Sequence, residues 1–115
     1  MSLDSTCLFC KIITGDIPAD IIFRNENMVA FRDILPQAPT HVLLVPTIHV
    51  ENAAALAKIS PVITAELFTV AQEIARSEGV DGYRVVFNTG ASAGQSVFHA
   101  HLHLLGGRPF AWPPG

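Results

Sequence analysis

Apolar residues follow two rhythms along this chain, and the switch between them marks its elements. Between Ser60 and Gly79 the rhythm is helical, with Ile63, Leu67, Val70, Ala71 and Ile74 returning every three or four residues. Ser60 can cap that helix, Pro61 suits its first position, where a missing N–H costs nothing, and Gly79 supplies the stop. Residues 7–14 read as a shorter helical segment ending at Gly15. Residues 17–24 and 28–31 flank Asn25-Glu26-Asn27 and read as a β-hairpin. The turn Pro36-Gln37-Ala38-Pro39 feeds a strand over residues 41–45, which Pro46 closes. Strands over 83–88 and 97–105 are joined by a run of small residues, 89–96. Hairpin strands with helices on one face predict an α+β fold with an antiparallel sheet. No repeat or linker divides the chain, so residues 1–115 are expected to form one domain.

Composition narrows the function. Half of the 115 residues are apolar and 15% are charged, which hints at an apolar surface covered by oligomerisation. A net charge of −3 without any Lys/Arg run argues against a nucleic-acid binder, whose affinity would rest on clustered cations. No apolar stretch reaches the roughly 18–20 residues that span a bilayer. Met1-Ser2-Leu3-Asp4-Ser5-Thr6 lacks the basic-then-apolar layout of a signal peptide, so a cytoplasmic location is expected.

The candidate chemistry sits in the histidines. His41 and His49 flank one strand, and His99, His101 and His103 share another at period two. Phe98, Ala100, Leu102 and Leu104 then fall on one face and the three imidazoles on the other. A solvent-facing strand that happens to use histidine is the plain alternative, but three at strict alternation in so short a chain disfavour it. A single zinc held by all three is opposed by geometry. His99 and His103 lie roughly 13 Å apart at about 3.3 Å per residue, whereas ligand nitrogens sit about 2.0–2.1 Å from one ion. The cluster must divide its work.

Cys7 and Cys10 offer one role. Their C-x-x-C spacing reads as half a metal site or as a redox pair, and no thioredoxin-like βαβ pattern surrounds it, which favours metal. A closed Cys2His2 shell is structural rather than catalytic, and His49 and His99, at strand edges, are the candidates to complete it. His101 and His103 then stand beside the small-residue loop, whose backbone N–H groups can approach phosphate oxygens closely. A neutral imidazole is a competent nucleophile toward phosphorus near pH 7.

His99-Ala100-His101-Leu102-His103-Leu104-Leu105 resembles the histidine triad pattern of three histidines alternating with apolar residues. The segments around Cys7-Leu8-Phe9-Cys10, Asp33-Ile34-Leu35-Pro36, Gly94-Gln95-Ser96 and the ending Trp112-Pro113-Pro114-Gly115 are similar to the Hint-like branch of that superfamily, in its zinc-binding variant. The resemblance implies a homodimer with one sheet continued across both subunits, and hydrolysis of purine nucleoside phosphoramidates in which AMP is linked through nitrogen to an amine. It implies that His101 attacks phosphorus, that His103 and the backbone of Gly94, Gln95 and Ser96 hold phosphate oxygens, and that Ser96 aids the departing amine. It also implies that His41 and Asn88 line the same pocket, that Asp33 takes the ribose hydroxyls, and that Phe9, Ile12, Ile34 and Leu43 enclose the purine. Zinc on Cys7, Cys10, His49 and His99 is structural by the same resemblance, and catalysis requires no cofactor. Phe98 stands where relatives often carry tyrosine, and Ala111 where the tail is often polar or larger. Two alternatives stay open: cleavage of dinucleoside polyphosphates, as in the Fhit branch, and a nucleotide-binding module that regulates a partner.

Overall fold

The computed structural model describes residues 3–115; Met1 and Ser2, which belong to the segment read for a signal peptide, lie outside the described residues. Helix α1 (Leu8–Thr14) opens the fold, with the Cys7 side chain accepting from the Cys10 N–H at its start and Gly15 at φ 88° closing it. Strands β1 (Ile21–Arg24), β2 (Met28–Arg32) and β3 (Thr40–Pro46) follow. Helices α2 (Ala53–Ile59) and α3 (Pro61–Ser77) come next, then β4 (Tyr83–Val86) and β5 (Leu102–Gly106). The five strands pair antiparallel in the order β1-β2-β3-β5-β4, so β3 and β5, the histidine-bearing strands, lie side by side at the centre.

Alternation on these strands gives the sheet two buried faces. Met28, Ala30, Val42, Leu44, Leu102 and Leu104 point to one, where α2 and α3 supply Leu56, Leu67, Val70, Ala71 and Ile74. Val29, Phe31, Leu43 and Val45 point to the other, where α1 lays Phe9 and Ile12 across them. Helices therefore cover both faces, not one. The short α1 does this because Phe9 and Ile12, three apart, share one side of the helix. Helix α3 starts as expected, with Ser60 Oγ accepting from the Ile63 N–H at 3.1 Å.

Three departures from the pattern have a clear physical cause. Residues 17–20 stay outside β1: Pro18 has no N–H to give a ladder, and the Ile17 N–H donates to Lys11. Helix α2 has no counterpart in the apolar rhythm because it buries only Leu56; its signal was the Asn52 cap ahead of an alanine-rich run. The last strand begins at Leu102, not at residue 97, since its pairing with β3 ends at Leu44↔Leu102. The stretch before it bends away from the ladder, and its one backbone bond outward is Ala100 N–H to Val50 C=O at 2.8 Å. Phe98 consequently leaves the face of Ala100, Leu102 and Leu104 and is 45% exposed. No helix among the described residues is long and apolar enough to cross a membrane.

Candidate active site and metal centre

The three triad histidines do leave the sheet on one side, but that side is interior: His99 and His101 are buried under α1, with the Phe9 ring against both. They divide into two groups along the strand.

At one end, His99 joins Cys7, Cys10 and His49. His99 Nε2 lies 2.8 Å from the Pro46 carbonyl, an acceptor, so the ring's proton is on Nε2 and a lone pair on Nδ1 points inward. That Nδ1 is 3.5 Å from Cys7 Sγ, 3.5 Å from Cys10 Sγ and 3.2 Å from His49 Nδ1. Tetrahedral zinc bonds of the usual lengths place neighbouring ligand atoms roughly 3.3–3.8 Å apart, the nitrogen pairs closest. The donor set and its spacing therefore fit a closed structural zinc, held by Cys7, Cys10, His49 and His99. Burial pushes the Cys10 thiol up, a cost that a cation among the four would remove.

At the other end, His41 on β3 meets His103 on β5. The Gln37 N–H donates to His41 Nδ1 at 3.0 Å, which leaves the neutral ring's proton on Nε2. His41 Nε2 is 3.0 Å from His103 Nδ1 and 3.5 Å from Asp33 Oδ2. His41 thus donates to His103, whose own proton is then on Nε2. Burial, with the His101 and His41 rings beside it, lowers the His103 pKa to about 4, against a smaller opposing pull from Asp33. Burial also holds His41 and His101 below the ordinary imidazole value. Between the two groups stands His101, whose Nδ1–H donates to the His99 carbonyl at 2.7 Å. Its Nε2 carries the lone pair, and its ring is 4.9 Å from that of His103.

His101 and His103 line a cleft of about 290 Å3 together with Phe9, Ile12, Asp33, Ile34, Leu43 and Ser96. The cleft is walled largely by apolar side chains of α1, β2 and β3, which suits a flat aromatic ring. Phe31 belongs to this wall and was missed in the sequence, although its alternation with Val29 on β2 could have placed it. His41 and Asn88 line a neighbouring hollow with Arg84, Arg108 and Phe110, and His103 borders both cavities.

The loop over 94–96 departs from expectation. The Gly94 N–H donates to Ala91 and the Gln95 N–H to Gly90, so both amides turn into the loop rather than toward a phosphate. The Gln95 side chain is likewise committed, accepting from the Gly90 N–H at 2.9 Å and donating to the Glu51 carbonyl at 2.7 Å. Gly94 and Gln95 build the loop; of the three residues only Ser96 lines the cleft. The Gln37 N–H and the Pro46 carbonyl, which fix the imidazole tautomers, carry no side-chain signal by which a sequence could announce them.

The comparison with known families agrees with this sheet and cleft: the HIT domain matches residues 14–110, and the chain belongs to that family. A 14 kDa zinc-binding protein of Zea mays is 48% identical over 116 residues, covering 97% of this chain and 90% of the relative. A purine nucleoside phosphoramidase of Escherichia coli (strain K12) is 45% identical over 104 residues, covering 89% and 87%. The crystal structure of a HIT family hydrolase from Legionella pneumophila Philadelphia 1 superposes with a TM-score of 0.91 at 48% identity, covering 95% of this chain and 99% of that one.

Proposed function

We propose that this chain, as one domain, hydrolyses purine nucleoside phosphoramidates through a nucleotidyl-histidine formed on His101. The observation that carries the reading is the bond from His101 Nδ1–H to the His99 carbonyl, because it commits the ring's one proton and frees the Nε2 lone pair at the cleft. The lowered pKa keeps that lone pair available at neutral pH. Identity to a phosphoramidase supports the substrate class. In the first step Nε2 bonds to the α-phosphorus, the P–N bond breaks, and the amine departs with a proton relayed by Ser96, which lines the cleft. Water then displaces His101, releasing AMP, so the sum is substrate plus water to AMP plus amine. His103, with its Nε2–H set by His41, donates to a phosphoryl oxygen as charge develops. Asp33 takes the ribose, while Phe9, Ile12, Ile34 and Leu43 hold the purine.

Zinc on Cys7, Cys10, His49 and His99 supplies folding energy rather than chemistry; bonding of this kind is all the metal would contribute here. The working unit is a cytoplasmic homodimer. Support comes from β4, an edge strand whose outer N–H and C=O row is free to pair with a second copy. The enzyme test is His101→Asn. It should abolish nearly all turnover while AMP still binds, and rapid quenching of the wild type should trap an acid-labile, base-stable adduct on His101. Inverted configuration at phosphorus with no trapped adduct would overturn the covalent route.

A further inference from the structure

The hollow that meets the nucleotide cleft at His103 is unusual in its charge. Arg84 on β4 pairs with Leu105, which in turn faces His41, so the arginine occupies the same sheet face as the imidazoles, two strands from His41. Arg108, just past β5, reaches the same place from the tail. Their guanidinium carbons lie 5.1 and 4.3 Å from the centre of the Phe110 ring. Both are pinned by carbonyls: Arg84 donates to Ala111 at 3.0 Å, and Arg108 donates to Gln37 and Pro109 at 2.9 Å each. Carbonyls orient a guanidinium without neutralising it. Among the described residues neither arginine has a carboxylate within ion-pair distance; the arginine that does is Arg32, with Asp20 and Glu78. Two of only seven Lys and Arg residues in an acidic chain thus converge, unpaired, on one cavity of about 260 Å3.

Each guanidinium has five N–H groups, so the bonds above leave some on both without a partner. With adenosine in the cleft and phosphorus at His101 and His103, the group beyond the P–N bond emerges where the two cavities meet. A substrate carrying a further positive charge would be repelled there. An apolar amine would meet a ring already approached by two cations.

We infer that this hollow receives the leaving group and selects an amine that bears a carboxylate, so that the preferred substrate joins AMP through nitrogen to an amino acid. The inference rests on the phosphoramidase reading, and it adds Arg84 and Arg108 as specificity-determining residues. The test compares kcat/KM of the full chain on three compounds: unsubstituted adenosine phosphoramidate, the N-linked alanine conjugate, and the matched alaninamide conjugate. The alanine conjugate should be favoured over the alaninamide roughly tenfold, the scale of one charge-assisted hydrogen bond. That ratio should shrink with added salt in the wild type, fall toward one in Arg84→Gln and in Arg108→Gln, and largely survive in Arg84→Lys. The salt series needs no variant, so a poorly folded arginine mutant does not remove the test. Equal rates for alanine and alaninamide conjugates, or a ratio untouched in both Gln variants, would overturn the inference. Faster cleavage of diadenosine tetraphosphate than of the alanine conjugate would overturn it as well, by assigning the anion to a phosphate. Activity on the unsubstituted compound without carboxylate preference would defeat this inference alone. Inactivity on all three phosphoramidates would defeat the reading beneath it.

Discussion

Two clusters on one side of this sheet use histidine in opposite senses. In the Cys7, Cys10, His49 and His99 quartet a lone pair of His99 points inward; in the His41 and His103 pair a proton of His41 does. A single backbone group behind each ring makes the difference. His99 has the Pro46 carbonyl at its far nitrogen, an acceptor that draws the proton outward. His41 has the Gln37 N–H there, a donor that claims the lone pair and sends the proton inward. The first arrangement gathers ligands for a cation; the second passes hydrogen-bond polarity from β3 to His103 and on to the cleft. What an imidazole does is thus decided by its second nitrogen.

If the clusters are separate devices, they should fail separately. The largest expected effect is on folding. Cys7→Ser combined with Cys10→Ser should strip the metal and cost on the order of 3 kcal/mol or more of stability, while turnover of the folded fraction changes only a few-fold. Metal analysis, denaturant titration and kcat together check this; a fall in kcat as large as that of a cleft mutant would join the clusters into one device. Next in size is His103→Ala, which removes one donor from the developing phosphoryl charge. A loss of roughly 10²–10³-fold in kcat is expected, with metal content at the wild-type level. Loss of zinc from that variant would show that the division along β5 is not real.

Legibility in the sequence followed the side chains. Helix α3 and the alternation of Ala100, Leu102 and Leu104 against the histidines could be read because burial stamps a period on residue type. The C-x-x-C spacing led to its quartet for a similar reason: thiols and imidazoles are scarce and chemically specific. Helix α2 escaped because it buries a single leucine. Alternation puts Phe98 on the face of Ala100 only while a ladder holds, and the ladder ends at Leu102. Gly94 and Gln95 read as a phosphate loop because small residues permit one without enforcing it; here their amides close on Ala91 and Gly90. The convergence of Arg84 and Arg108 depends on how the tail folds back over β4, which no local pattern records.

The smallest effect expected is a pH dependence of stability, and its sign distinguishes the clusters again. His103 is held neutral by burial, its pKa lowered from 6.5 to about 4, and His41 is shifted in the same direction. Between those values the unfolded chain binds protons that the folded chain refuses. Stability is therefore whole above pH 6.5 and is lost as the pH falls toward 4. The slope of unfolding free energy against pH in this window measures the protons taken up. For His103 it should amount to less than one proton per chain, since the ring is only partly buried and solvent relieves some of the penalty. His103→Asn should flatten the slope by that fraction while leaving the acid release of metal unchanged, because thiolates and His99 compete for protons independently of it. Denaturant midpoints of wild type and variant between pH 7 and 5, recorded with metal bound, would measure the difference. An unchanged slope would mean that His103 is already solvated in the folded chain, and the donor role given to it through His41 would lose its physical basis.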